Sequence, residues 1–230
     1  MIWPFKSRHA APAPLIHVWM SHQARAAGMV NALRRDVVDH AAVVLVVHFS
    51  ATAAWWTERL DAVQLAWTLL DTNDPGAAIL QGMRGGAQGG GPGRVFLLHS
   101  DQVPDAAPAA TPPHADAGTD AGADLRWHVA EPHCLTGRAE RVDALALALG
   151  SSPPVHHASL DDPLLQMFGG ENTKALMQRI GVADDEPIDN KMVSRSVVGA
   201  QQKVAATVGS AVQPAESQEA WIALNMRGGA

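Results

Sequence analysis

The chain has 230 residues, 47% of them hydrophobic, which is enough apolar material for one sizeable core with an appendage. Its formal charge of -6 argues against a nucleic-acid partner, because phosphate binding needs clustered lysine and arginine. The single cysteine, Cys134, excludes an internal disulfide framework and fits a reducing cytosol.

The opening residues 1–14 carry no apolar core of the kind that signal peptides have, and we expect them to be flexible. No later run approaches the roughly 18 apolar residues that cross a bilayer. We therefore expect no integral membrane segment and a cytoplasmic location.

From residue 15 onward, short β-rich runs alternate with amphipathic helices. The strongest run, VVLVVHF at 43–49, is continuously apolar, which is typical of a strand covered on both faces in a parallel sheet. We expect Ser50 or Thr52 to cap the helix that follows it. The predicted strands are 15–20, 43–49, 66–70, 94–100, 125–131 and 155–160, and the predicted helices between them are 21–35, 50–60, 75–83 and 137–149. This alternation predicts an α/β fold with a mainly parallel sheet.

Two segments within the α/β region, 15–160, have a composition that does not pack. Residues 82–93 are rich in glycine and are a candidate phosphate cradle, but they lack the lysine and the capped helix that such a loop needs, so we expect a mobile loop. Residues 103–124 consist largely of Ala, Pro, Asp and Gly, and we expect a second mobile loop there.

The segment 161–208 carries the most consistent helix signals. Asp161 and Asp162 can cap a first short helix. Asn190 can cap a later, longer helix in which apolar residues recur at three- and four-residue steps. These residues are Val193, Val197, Ala200, Val204 and Val208. We expect this helical group to dock on the sheet, and residues 209–230 to form a tail.

Between residues 159 and 204 lie the blocks S-L-D-D-P-L-L-Q-M-F-G-G, A-L-M-Q-R-I-G, D-E-P-I-D-N-K-M-V-S-R-S and A-Q-Q-K-V. In order and spacing they resemble the SecA motor ATPase of bacterial protein export, where its second nucleotide-binding (helicase C-terminal) domain meets the scaffold helix. Segments 17–49 and 128–143 are similar to the same domain more weakly. The resemblance implies a P-loop-NTPase, helicase-like sheet of about six strands in 15–160, with 161–208 as a helical appendage.

The chain departs from this family at the positions that carry catalysis. A Walker loop needs a lysine directly after glycine, and none of the lysines (Lys6, Lys174, Lys191 and Lys203) has that neighbour. Residues 144–154 read ALALALGSSPP where the family has its arginine fingers, which are typically worth ~10³-fold or more in rate. The family's Gly-Arg-Gly-Thr-Asp loop is missing as well. We therefore expect no bound cofactor and no ATP hydrolysis by the isolated chain, with ATP binding as the alternative.

Arg138 and Arg141 are the candidate binding residues, because they match the family's arginine-rich helix start. They would hold an anion or a nucleotide, and the alternative is a structural role in salt bridges. Several possible metal ligands lie near predicted strand ends, but their spacings match no zinc signature, and we expect no metal. They are His128, His133, Cys134, His156 and His157.

Two further residue types have a chemical and a structural interpretation. Cys134 is a potential nucleophile, but we expect it to be buried and inert because no activating base is evident. Trp55 and Trp56 are adjacent in a predicted helix and cannot share one face, so we expect one of them to be partly exposed as a contact surface.

These observations lead to two hypotheses about function. The first is a catalytically inactive, SecA-like accessory module that binds protein in preprotein export, with SecA itself or a secretory preprotein as its partner. The second is a nucleotide-binding or ATPase subunit that completes its site with the Walker loop of a partner chain.

Overall fold

The computed structural model describes residues 15–87, 94–105, 124–188 and 190–226. The strands are β1 (Leu15–Trp19), β2 (Ala42–Val47), β3 (Trp67–Leu70), β4 (Arg94–His99), β5 (Leu125–Val129) and β6 (Val155–Ser159). The helices are α1 (His22–Asp39), α2 (Ser50–Ala62), α3 (Pro75–Ala87), α4 (Thr136–Ala148), α5 (Pro163–Gln166), α6 (Gly170–Arg179), α7 (Lys191–Thr207) and α8 (Gln218–Asn225).

The strands form one sheet in the order β1-β6-β5-β2-β4-β3, and every pair of neighbours is parallel. This confirms the predicted α/β class. The central strand β2 is buried along its whole length, as its continuous apolar sequence predicts. Because all strands run in the same direction, their carboxyl ends meet at one edge of the sheet, where ligands bind in open α/β folds.

Helices cover both faces of the sheet. On one face, Leu33 of α1 and Leu60 of α2 pack over Leu45 of β2. Here α1 lies so close to β1 that a Cβ atom at Gly28 would come within 1.9 Å of the Trp19 indole. Helices α3 and α4 cover the other face above β2, β4 and β5, and α5 to α8 cover it above β1 and β6. The result is three layers around the sheet.

The helices after β6 pack on the sheet, as the sequence predicts. Val197 of α7 is buried in a core shared with Val18 of β1 and Ala158 of β6. The backbone N–H of Ile188 donates to the carbonyl of Val18 at 2.7 Å, and the Gln201 amide donates to the carbonyl of His133 at 2.8 Å. Main-chain and side-chain hydrogen bonds therefore fix α7 in addition to apolar contact.

Two expectations for the chain's less regular segments were wrong in part. Helix α3 continues to Ala87, so the first half of the expected loop at 82–93 is helical. The expected tail at 209–230 contains α8, whose Trp221 is buried against the helical group. The predicted flexibility of 1–14 and of most of 103–124 lies outside the described residues. None of the described helices has both the length and the apolar character that a bilayer span requires.

Candidate functional site

A cleft of about 600 Å³ lies at the carboxyl edge of the sheet between the N-terminal ends of α1, α2 and α8. A cleft of this size is typical of ligand-binding sites. Its polar lining comes from the chain segments that follow β1, β2, β5 and β6 and from the start of α8. The residues that matter for its chemistry are Arg25, Thr52, Trp55, Glu131, Asp162 and Gln218. We call this space the main cleft.

Glu131 lies just beyond β5 and is buried at the base of the main cleft. Its carboxylate accepts a hydrogen bond from the Thr52 hydroxyl at 2.5 Å and from the backbone N–H of His48 at 3.2 Å. Burial raises the pKa of Glu131 to about 7, although these hydrogen bonds and the charge of Arg25 oppose the rise. Glu131 therefore changes its protonation state near neutral pH.

Asp162 is the second buried carboxylate of the main cleft. It accepts from Arg25 at 2.7 Å, from the backbone N–H of Ser159 at 2.7 Å, and lies 3.0 Å from the His22 ring nitrogen. Burial alone would raise the pKa of Asp162, but Arg25, His22 and Ser159 hold it below its usual range. Asp162 stands at the N-cap position of α5 without making the predicted capping bond, because its carboxylate is turned to these three partners.

The N-terminal end of α2 differs from the sequence prediction for a similar reason. The N-cap position is Phe49, and no side chain caps the helix. Ser50 lies one residue inside the helix, and the Thr52 hydroxyl is bound to Glu131. The backbone N–H of Ala51, in the first turn of α2, donates to the carbonyl of Glu216 at 3.0 Å. This bond joins α2 to the segment that leads into α8.

Trp55 and Trp56 line the main cleft, and one of them is partly exposed, as the sequence predicts. Trp56 is buried, whereas Trp55 is 44% exposed and packs edge-to-face on its neighbour at a centroid distance of 5.0 Å. Trp55 thus presents an aromatic surface at the rim of the cleft.

A buried hydrogen-bond chain joins the helix layer to the sheet. The Trp19 indole donates to Nδ1 of His157 at 3.2 Å, so His157 carries its proton on Nε2 and donates it to Nδ1 of His128 at 3.0 Å. His128 in turn donates from Nε2 to Asp36 at 2.7 Å. Burial lowers the pKa of both histidines, which agrees with neutral rings in this arrangement. These hydrogen bonds connect α1 to β1, β5 and β6, and together they form a buried polar network.

The two arginines predicted to bind an anion lie on α4, and the structure pairs each with a carboxylate. Arg138 donates to Asp101, and Arg141 donates to Asp105. Arg138 lines a second cleft of about 410 Å³, and Arg141 is not among the residues that line either cleft in the described part of the chain. Anion binding by this pair stays a prediction.

The histidines that were considered as possible metal ligands have other partners. His128 and His157 belong to the buried hydrogen-bond chain, and His156 lies 2.8 Å from Asp143. Within residues 15–87, 94–105, 124–188 and 190–226, no three such side chains form a metal-binding group. Cys134 is buried, and burial raises the pKa of its thiol, so it lacks the thiolate character of a nucleophile.

The fold and the clefts define a parallel α/β protein with a polar site at the carboxyl edge of its sheet. No family model matches the chain. Over 50 residues the chain is 50% identical to the protein translocase subunit SecA of Symbiobacterium thermophilum, 48% to that of Syntrophomonas wolfei and 46% to that of Solidesulfovibrio magneticus. Each match covers 22% of this chain and only 6% of the SecA protein. Over this short segment the chain is related to SecA.

One solved structure, the C-terminal part of the Fun30 ATPase domain, superposes with a TM-score of 0.39 and 11% sequence identity. The superposition covers 77% of this chain and 53% of the Fun30 chain. A likeness at this level carries no argument about function.

Proposed function

We propose that the chain is a SecA-like module that binds protein in preprotein export and does not hydrolyse ATP by itself. The relation to SecA over 50 residues supports the link to export. Its partner in this proposal is SecA or a secretory preprotein, and its place of action is the cytoplasm.

The observation that carries the proposal is the charge arrangement of the main cleft. A nucleotide bound at this edge of the sheet would need cations and N–H groups free to contact its phosphates. Arg25 is instead held by Asp162, and the Thr52 hydroxyl is held by Glu131. A polyphosphate in the cleft would face these two carboxylates, and the sequence has no Walker lysine to offset them. The cleft thus opposes the binding step that hydrolysis requires.

Protein binding is supported by the aromatic rim of the same cleft. Trp55 is exposed beside Arg59, and tryptophan and arginine are the residue types that most often contribute strongly to protein interfaces. A polypeptide segment that covers the rim would bury the Trp55 indole, whose apolar surface faces solvent in the free chain.

A titration of the purified chain against purified SecA and against an unfolded secretory preprotein tests the proposal. We expect one of the two to bind without nucleotide, and Trp55→Ala to weaken that binding by about tenfold, since each tenfold change corresponds to about 1.4 kcal/mol. Val38→Ala is the control, because Val38 is exposed near the end of α1 that lies away from the main cleft. The absence of binding to both proteins would contradict the proposal, and binding that depends on ATP would favour a nucleotide-binding subunit.

A further inference from the structure

The second cleft, of about 410 Å³, lies at the carboxyl ends of β2 and β5 and shares no lining residue with the main cleft. Its polar wall contains His48, His133, Arg138 and the carboxylate of Asp101, and Trp221 of α8 contributes to its apolar wall. Gln213 and its neighbours, from the segment before α8, close one side. The cleft therefore exists only because the last part of the chain folds back on the sheet.

His48 is the unusual residue of this wall. It directly follows β2, is only 4% exposed, and neither ring nitrogen has a hydrogen-bond partner in the described structure. Buried polar atoms of native proteins are nearly always paired, so such a ring calls for an explanation by an additional partner. Burial and the neighbouring His133 lower the pKa of His48, which leaves a neutral imidazole with one N–H to donate.

A second unpaired group directly follows the neighbouring strand β4. β2 and β4 pair with Val47 opposite His99, so His48 and Ser100 are the next residues along two adjacent strands. Ser100 is buried, and its hydroxyl also lacks a hydrogen-bond partner in the described structure. Two buried side chains that can donate hydrogen bonds thus lie at one edge without acceptors in the described structure, and of the two His48 lines the second cleft.

The N-terminal end of α4 adds positive potential at the same place. The N-cap residue Leu135 has no side chain that can cap the helix, and it lines the cleft. The first-turn N–H groups of a helix lack partners within the helix and carry partial positive charge. Arg138 lies in this first turn and faces the cleft, with Asp101 as its exposed partner. The helix end, the arginine and His48 are all donors, and Asp101 is an acceptor that a ligand can displace from Arg138.

We propose that the second cleft binds a small phosphate-class oxyanion, held by Arg138, the N-terminal end of α4 and the neutral ring of His48. The donors match an acceptor with several oxygens, and the cleft volume fits a phosphate or a small phosphate ester. The ligand exchanges one exposed salt bridge, that of Arg138 with Asp101, for several charge-assisted hydrogen bonds. This inference rests on the fold and not on the proposed function, so a chain that binds no protein partner can still bind phosphate.

Isothermal titration of the whole chain with inorganic phosphate, and separately with AMP, tests the inference at constant ionic strength. We expect saturable binding that Arg138→Ala weakens at least tenfold. Arg34→Ala removes the same charge from an exposed position of α1, outside both clefts, and should change the affinity less than twofold. His48→Phe keeps a ring in the same space and should weaken binding as well, whereas Asp101→Asn should strengthen it by freeing Arg138.

Equal affinity for phosphate and AMP would assign the site to a phosphate group in general, and binding of inorganic phosphate alone would assign it to the free ion. Both results support the site. A wild-type chain that binds neither probe would overturn the inference. So would equal weakening by Arg138→Ala and Arg34→Ala, since that pattern reports only the overall charge. Circular dichroism of each variant shows whether a loss of binding reflects loss of the fold.

Discussion

We expect Val197→Asp to lose several kcal/mol of stability, which is much of the 5–15 kcal/mol that typically holds a domain folded. Val197 is 2% exposed in the middle of α7, within the core shared with β1 and β6. An aspartate there would place a carboxylate among apolar side chains with no cation to pair with it. The melting temperature, followed by circular dichroism, should fall sharply or the cooperative transition should disappear.

Met192→Asp is the matched control for this substitution. Met192 belongs to the same helix but is 78% exposed, so the same carboxylate would remain in water. We expect its melting temperature to stay within about 2 °C of the wild type, because exposed substitutions usually change stability by less than about 0.5 kcal/mol. An unchanged melting curve for Val197→Asp would show that α7 does not dock on the sheet and would make it the first place to look for a partner.

Glu131→Gln should stabilise the chain at alkaline pH and have little effect in acid. The pKa of Glu131 is raised from 4.5 to about 7, which corresponds to about 3 kcal/mol. A raised pKa means that the carboxyl group contributes stability below pH 4.5, and that this contribution is lost as the pH rises through about 7. Glutamine cannot ionise, so the variant keeps at pH 8 the stability that the wild type has lost.

Urea unfolding of wild type and variant at pH 5 and pH 8 measures this difference. We expect the variant to be more stable by up to about 3 kcal/mol at pH 8 and by much less at pH 5. Glu140→Gln serves as the control, because Glu140 is exposed on α4 and should show no such dependence on pH. A variant that is equally or less stable than the wild type at pH 8 would show that Glu131 is ionised in the fold at little cost.

The sheet and most helices could be predicted because their signals are local. The run at 43–49 is apolar without interruption, and it forms the buried central strand β2. The valines that recur at three- and four-residue intervals in α7 are an equally local signal. So is the cap at Asn190, whose side chain accepts from the backbone N–H of Met192. Helix α8 was missed because its eight residues carry a short signal next to Pro214 and several polar residues. Its stability depends on burial of Trp221, which is a tertiary effect.

The site was much harder to predict, since its side chains come from distant parts of the chain. Arg25 meets Asp162 across 137 residues, and Thr52 meets Glu131 across 79. Those contacts also explain why the predicted caps at Thr52 and Asp162 do not form, because each side chain has a stronger tertiary partner. Glu131 is the last residue of the predicted strand 125–131, and a carboxylate at the carboxyl end of a strand is a signal in the sequence that points to this edge.

Release of phosphate from ATP by the purified chain, compared with a mock purification, tests the central claim most directly. The missing Walker lysine, the absence of arginine from 144–154 and the pairing of Arg25 with Asp162 in the main cleft all predict no turnover above the mock sample. Turnover above that level, abolished by Arg138→Ala, would contradict the claim and show that the chain is an ATPase.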